Sequence, residues 1–368
     1  MDHSDQTLQW DIFCRVIDNF GDIGICWRLA ADLASRGQQV RLWADDASAL
    51  AWMAPGGAAG VRVMAWTPSL ADTDLALLAT APCDVMVEAF GCDIPAQFLT
   101  ACAARAVLKG NPPVWINLEY LSAESYAERN HGLPSLVSSG PAAGWKKWFF
   151  YPGFTALTGG LLRERHLAGK YKAFVREDWL NGHGIPWQGK TLVSLFCYEP
   201  PVLPALLKQL SAQGLDGKPV QLLVAEGRAR QAVQALEGTL EHPGISYLPL
   251  LPQTDFDHLL WTCDLNFVRG EDSIVRAIWA GKPFVWQIYP QDDGVHSIKL
   301  DAFLTMLKAP ASLRDFHDRW NRSTTEPAAA NLAIDLPAWR ICAQNAKTRL
   351  TALPDLTASL LEFVHKNR

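Results

Sequence analysis

No C-x-x-C pair occurs in this chain, although it holds eight cysteines. That absence removes the usual spacing of a structural zinc site. The cysteines are scattered (Cys14, Cys26, Cys83, Cys92, Cys102, Cys197, Cys263, Cys342), several inside apolar runs where a reduced thiol acts as a small hydrophobe. The opening MDHSDQTLQW lacks a basic leader followed by an apolar core, so no signal peptide is expected. Apolar stretches such as Pro283–Ile288 are too short to span a bilayer. A cytoplasmic location with no membrane attachment is the expectation. There is little net charge: −5 over 368 residues argues against bulk attraction to nucleic acid or an anionic membrane. Repeats and low-complexity tracts are also missing.

Two catalytic signatures are absent as well. There is no G-x-G-x-x-G fingerprint and no G-x-S-x-G elbow, and the Asp18–Gly24 loop is not a P-loop, since no Gly-Lys-Ser/Thr follows it. Dinucleotide oxidoreductases and serine hydrolases of that type are therefore disfavoured. The pair Asp255/Asp257 does match D-x-D, a metal–diphosphate motif. It opens a helical pattern with Phe256, Leu259 and Leu260 on an apolar face, where acids suit the helix dipole. His258, His296 and Asp292–Asp293 show no metal-ligand spacing. No metal site is expected.

What the chain does have is apolar residues, 49% of the total, in a βαβ rhythm. Strands are predicted at Ile12–Ile17, Gln39–Ala44, Val61–Trp66, Asp84–Ala89 and Val114–Leu118, with a helix at Ile25–Arg36. The turn-rich stretch Glu177–Lys190 reads as a linker. The alternation restarts with strands at Thr191–Cys197, Val220–Ala225, Ile245–Leu250, Leu265–Val268 and Pro283–Ile288. Helices are predicted at Pro201–Gln213, Ala229–Glu237, Asp255–Thr262 and Ser273–Ala280. The expected fold is α/β, with two facing Rossmann-like domains and a central cleft. The domains are residues 1–176 and 191–350, joined by 177–190, and a closing helical segment 351–368 could pack back on the first domain.

Two strand–glycine–helix junctions concentrate the polar chemistry. In the first, Asp18-Asn19-Phe20-Gly21-Asp22-Ile23-Gly24 places two acids where nucleotide enzymes keep neutral backbone for a pyrophosphate. Either Asp18 makes an Asx turn and Asp22 caps the helix, or the loop serves a base or a cationic acceptor. In the second, Arg269-Gly270-Glu271-Asp272-Ser273 precedes a helix. Asp272 and Ser273 are N-cap candidates, and the helix start can hold a diphosphate without metal. The alternative is a capping cluster with Arg269 paired to Glu271 or Asp272. Phe196 and Tyr198 end another strand and could stack on a base or reach a phosphate; Gln253 could read a pyrimidine or ribose edge. Lys146–Arg176 carries seven basic residues against Glu164 and many aromatics. It suits an acidic protein partner, nucleic acid, or a solvated face over buried aromatics.

The stretches Val16–Gly24 (VIDNFGDIG), Trp115–Glu124 (WINLEYLSAE), Asp264–Ser273 (DLNFVRGEDS) and Pro283–Gln291 (PFVWQIYPQ) together resemble the protein-arginine rhamnosyltransferases that modify elongation factor P. The resemblance runs from about Trp10 to the final helix. It implies a B-type glycosyltransferase fold, a dTDP-β-L-rhamnose donor held without metal or other cofactor, and an arginine of elongation factor P as acceptor. It implies inversion, with Asp22 as leading general base, Asp18 beside it and Glu271 as another required carboxylate. Phe196, Tyr198, Gln253, Arg269, Asp272 and Ser273 fall at or beside donor-binding positions, and Asn19, Phe20 and Gly21 belong to the acidic loop. Two other readings stay open on the residues alone: a sugar-nucleotide epimerase-like enzyme and a non-catalytic nucleotide-sugar-binding adaptor.

Overall fold

The computed structural model describes residues 6–17, 20–67, 69–238, 242–289, 295–322 and 332–368. The chain divides into two compact units, Met1–Leu167 with Leu353–Arg368, and Ala168–Ala352.

In the first unit the strands are β1 (Gln9–Cys14), β2 (Gln39–Ala44), β3 (Val61–Ala65), β4 (Val85–Ala89), β5 (Val114–Leu118), β6 (Pro134–Leu136) and β7 (Lys146–Phe150). They form one sheet in the order β3-β2-β1-β4-β5-β7-β6. All neighbours are parallel except β6 against β7. Sheets covered on both faces read as continuous apolar runs, and β4 and β5 are buried at every position. The strand order reverses between β1 and β4, and in such sheets ligands gather outside the carboxyl ends at that reversal. The helix Leu356–Asn367 belongs to this unit, with Leu356, Leu360 and Val364 in its core. Asp355 caps that helix at the Ala358 N–H and accepts a 2.8 Å bond from Arg36, which also grips Asp32.

The second unit carries β8 (Thr191–Leu195), β9 (Val220–Val224), β10 (Gly244–Tyr247), β11 (Leu265–Arg269) and β12 (Phe284–Gln287). Its sheet is wholly parallel, ordered β10-β9-β8-β11-β12, and reverses between β8 and β11.

Three readings change. The predicted linker Glu177–Lys190 begins inside a helix, Arg176–Gly182, and the division between units falls earlier, at Leu167/Ala168. Turn residues mark breaks in the chain, but Trp179, Leu180 and Ile185 bury themselves in the second unit's core and fix the stretch there. The basic segment from Lys146 opens as β7, where Lys147 bonds the buried Glu88 at 3.2 Å and Lys146 lies over Trp148. The first strand ends at Cys14 rather than Ile17, and the following helix starts at Gly21 rather than Ile25.

Candidate active site

In the second unit the site grows from two adjacent strand ends. β8 and β11 flank the reversal of strand order, and each ends in polar and aromatic residues. From β8 the chain continues through Phe196, Cys197 and Tyr198; β11 ends on Arg269 and continues into Gly270. The Arg269 guanidinium carbon lies 4.7 Å from the Phe196 ring centre and 4.5 Å from that of Tyr198. Arg228 approaches the same Tyr198 ring at 4.9 Å and is held by Glu199, Nε to Oε1 at 2.7 Å. Burial lowers the affinity of Arg269 for its proton, but a guanidinium starts so high that it stays charged at neutral pH. Burial likewise raises the Tyr198 hydroxyl, which stays a neutral donor.

Gly270 is the helix cap, with φ +76° and ψ 176°, a conformation that side-chain-bearing residues rarely adopt. This corrects the expectation that Asp272 or Ser273 caps the helix. The helix runs Glu271–Ala280, so both residues lie in its first turn, and no side chain caps it. A helix start of this kind directs its first N–H groups and its positive dipole end outward, a setting that suits an anion. The Ser273 hydroxyl donates to the Arg269 carbonyl, so its proton ties β11 to the helix. The Trp286 indole fixes the same turn by donating to the Gly270 carbonyl at 3.0 Å.

Glu271 pairs with Lys299, Nζ to Oε1 at 2.5 Å, rather than with Arg269. Gln253 is the first residue of the helix Gln253–Thr262 and is buried. Phe196 meets Phe256 of that helix edge-on at 5.2 Å. Asp257, the second acid of the D-x-D match, accepts two buried hydrogen bonds from the Arg276 guanidinium, at 2.7 and 2.8 Å. It is a structural ion pair. Among the described residues no group of three or more His, Cys, Asp or Glu could hold a metal ion.

In the first unit Asp18 and Asn19 lie outside the described residues. Asp22 is half-buried in the first turn of the helix Gly21–Ser35, whose cap position is Phe20. The expectation that Asp22 caps the helix is thereby corrected: its place in the first turn lets the dipole stabilise its carboxylate. Phe20 is half-exposed and touches Trp52 edge-on at 5.5 Å. Sequence reasoning missed the neighbouring wall. Phe90, just past β4, takes φ +59°, a strained conformation for an aromatic residue. Its ring stacks on that of Tyr120, just past β5, at 4.5 Å and 15°. Glu119, the residue before Tyr120, is half-buried, and burial raises its carboxyl. Tyr120 lies in the quoted stretch Trp115–Glu124, which was the signal; nothing in the sequence announces the strain at Phe90. Arg228, Gln287 and Lys299 were missed too. Gln287 accepts from the Tyr198 N–H at 2.8 Å, and only its place in the quoted stretch Pro283–Gln291 hinted at it.

The family model for elongation factor P (EF-P) rhamnosyltransferase EarP matches residues 10–365. The chain belongs to the EarP family. A protein-arginine rhamnosyltransferase of Pseudomonas putida is 41% identical, covering 96% of this chain and 98% of that protein. A solved structure concerned with EarP-mediated arginine glycosylation of translation elongation factor EF-P aligns with 98% of this chain and 100% of its own. Its TM-score is 0.62 at 31% identity. The spinosyn rhamnosyltransferase SpnG aligns over 98% of this chain with a TM-score of 0.51 at 14% identity, which speaks to the fold alone. The fold is that of the B-type glycosyltransferases, and EarP membership makes the chain an enzyme of the protein-arginine rhamnosyltransferase kind. That assignment decides against the epimerase and adaptor readings. No helix among the described residues is long and apolar enough to cross a membrane.

Proposed function

We propose that this enzyme transfers L-rhamnose from dTDP-β-L-rhamnose to an arginine side chain of elongation factor P, with inversion, in the cytoplasm, using neither metal nor cofactor. The observation that carries the reading is the helix start behind Gly270, beside a half-buried guanidinium that lies over Phe196 and Tyr198. Backbone N–H groups and Arg269 together supply positive charge for a diphosphate, and the aromatic rings supply faces for a base or sugar.

The acceptor guanidinium is protonated at neutral pH and its lone pairs are delocalised. Asp22 pins it and takes a proton as its nitrogen attacks C1 of the sugar. The bond from C1 to the diphosphate oxygen breaks, and dTDP leaves as an anion stabilised at the Glu271–Ser273 turn. Attack opposite the leaving group turns the β-linked donor into an α-linked product. The Phe90–Tyr120 stack supports a cation on the first unit's side, since aromatic faces attract guanidinium.

The test is intact-mass and fragment analysis of elongation factor P after incubation with this protein and dTDP-rhamnose. One added deoxyhexose on an arginine is the expected result. An unmodified mass, with donor bound and the acceptor folded, refutes the acceptor; modification with a different nucleotide sugar refutes the donor. Chelation by EDTA should leave the rate unchanged.

A further inference from the structure

Positive charge gathers in the second unit at the amino ends of β11 and β12. Asn266 pairs with Phe284 across these strands, so Asp264 and Lys282, two residues earlier on each, stand at the same level. Asp264 is already engaged: it accepts from the Arg176 guanidinium at 3.1 Å and from the Leu192 N–H at 2.9 Å. Lys347 reaches the same place from the helix Leu336–Thr351. Its stem runs so close to Gly281 that a Cβ there would meet its Cδ at 2.8 Å, and its ammonium lies 4.1 Å from the Tyr171 ring centre. Tyr171 and Arg176 belong to the basic, aromatic segment Lys146–Arg176, which the donor turn leaves unused.

Lys282 and Lys347 are both half-buried, and among the described residues neither makes a hydrogen bond or an ion pair. Neither ammonium is sealed from solvent. Arg340, exposed and two helical turns before Lys347, lies on the same face of its helix and repels Lys282. Burial lowers the proton affinity of both lysines; Lys282 also repels Lys347, and no carboxylate relieves Lys347. A lysine starts high enough to stay charged at neutral pH all the same. Glu177 and Asp178, beside Arg176 in sequence, are exposed, and neither is among the charges that set the two lysines. Arg176, Lys282, Arg340 and Lys347 thus face the single carboxylate of Asp264. The helix Glu271–Ala280 ends at Gly281 and adds about half a negative charge. Roughly two positive charges stay unbalanced on partly desolvated groups, a costly arrangement until an anion meets them.

We propose that Lys282, Lys347 and Arg340 form a binding site for a phosphate dianion at this end of the second unit's sheet. The site is separate from the donor turn: Asp264 and Arg269 lie at opposite ends of β11, about 16 Å apart at the rise of a strand.

Isothermal titration of the full-length protein with inorganic phosphate, at neutral pH and constant ionic strength, tests this. One saturable site is expected, and it should persist in Arg269→Gln, which removes the donor turn's own cation. Lys282→Met and Lys347→Met keep the aliphatic stems and should each weaken phosphate at least about tenfold, as loss of a charged hydrogen bond does. Arg340→Gln is a surface change that should leave folding intact and weaken phosphate by a smaller factor. Absence of phosphate binding in the wild-type protein overturns the proposal, and so does binding that disappears in Arg269→Gln. Undiminished binding in the folded lysine variants overturns it as well, or in Arg340→Gln should those variants not fold. A short single-stranded oligonucleotide that binds where phosphate does not would make this a nucleic-acid face and overturn it too.

Discussion

The Arg269 guanidinium sits 4.5 Å from the ring centre of Tyr198, and the same ring carries Arg228 on it at 4.9 Å. Two cations on one aromatic residue make sense where an anion is to be received. Each contact of this kind is worth about 0.5–2 kcal/mol, more when desolvated. Tyr198→Leu should therefore weaken dTDP binding by about three- to thirtyfold. Tyr198→Phe keeps the ring and should lose less unless the hydroxyl reaches phosphate. Equal losses in the two variants, read by titration of dTDP, would show that the hydroxyl and not the ring matters.

Asp22 tests the division of labour between the two units. Asp22→Asn keeps the shape and the first-turn position but cannot take a proton. Transfer should fall about 10²–10⁴-fold, the usual worth of a general base, while donor affinity stays within about twofold. Single-turnover rates alongside donor titration measure both. Transfer near the wild-type rate would remove Asp22 from the role of base.

Glu271 raises a separate question because its partner is Lys299, not Arg269. An acid beside a diphosphate site ordinarily weakens anion binding. Glu271→Gln leaves the lysine uncompensated, so dTDP should bind as tightly or tighter while kcat falls. Glu271→Gln combined with Lys299→Met restores charge balance and should return dTDP affinity to the wild-type value without restoring kcat. Recovery of kcat in the double variant would mean that Glu271 only neutralises the lysine.

The strained Phe90 gives a prediction that separates stability from function. Its left-handed backbone costs about 1–2 kcal/mol, which an asparagine tolerates better. Relief of strain offsets the lost stack, worth about 0.5–1.5 kcal/mol. Phe90→Asn should thus stay within about 1 kcal/mol of wild type in urea unfolding. The KM for the protein acceptor should nevertheless rise several-fold, with donor KM unchanged. A normal acceptor KM would make the stack purely structural.

Much of this was legible beforehand because apolar runs and glycine breaks report local structure directly. Gln39–Ala44 and Val114–Leu118 appear with the boundaries read from the sequence, since both are bounded by polar or turn residues. Strands β6 and β7 were not legible: Pro134–Leu136 is exposed and Lys146–Phe150 is basic and aromatic, so neither looks like a buried strand. β7 earns its place through Lys147 on Glu88, a contact 59 residues apart in the chain. The acids of both junctions were visible, but their settings were not. That Gly270 rather than Asp272 caps the helix, or that Lys299 rather than Arg269 meets Glu271, depends on backbone angles and long-range packing that no local pattern encodes.

The last prediction follows from a histidine no motif singled out. His317 is fully buried; its Nε2 accepts the Trp286 N–H at 3.0 Å, and its Nδ1 lies 2.9 Å from the Leu313 carbonyl. That arrangement fits only the neutral ring with the proton on Nδ1. Burial accordingly depresses its pKa to about 4, against the ordinary 6.5. Between those two values the unfolded chain binds a proton that the native state refuses. Stability from this group is therefore complete above pH 6.5 and declines as pH falls towards 4, by about 3 kcal/mol in all. Because Trp286 also holds the Gly270 carbonyl, protonation should loosen the donor turn as well. Urea unfolding at pH 7 and pH 5 should show this loss in the wild type and a smaller one in His317→Gln. Parallel losses in the two proteins would assign the acid sensitivity to other groups.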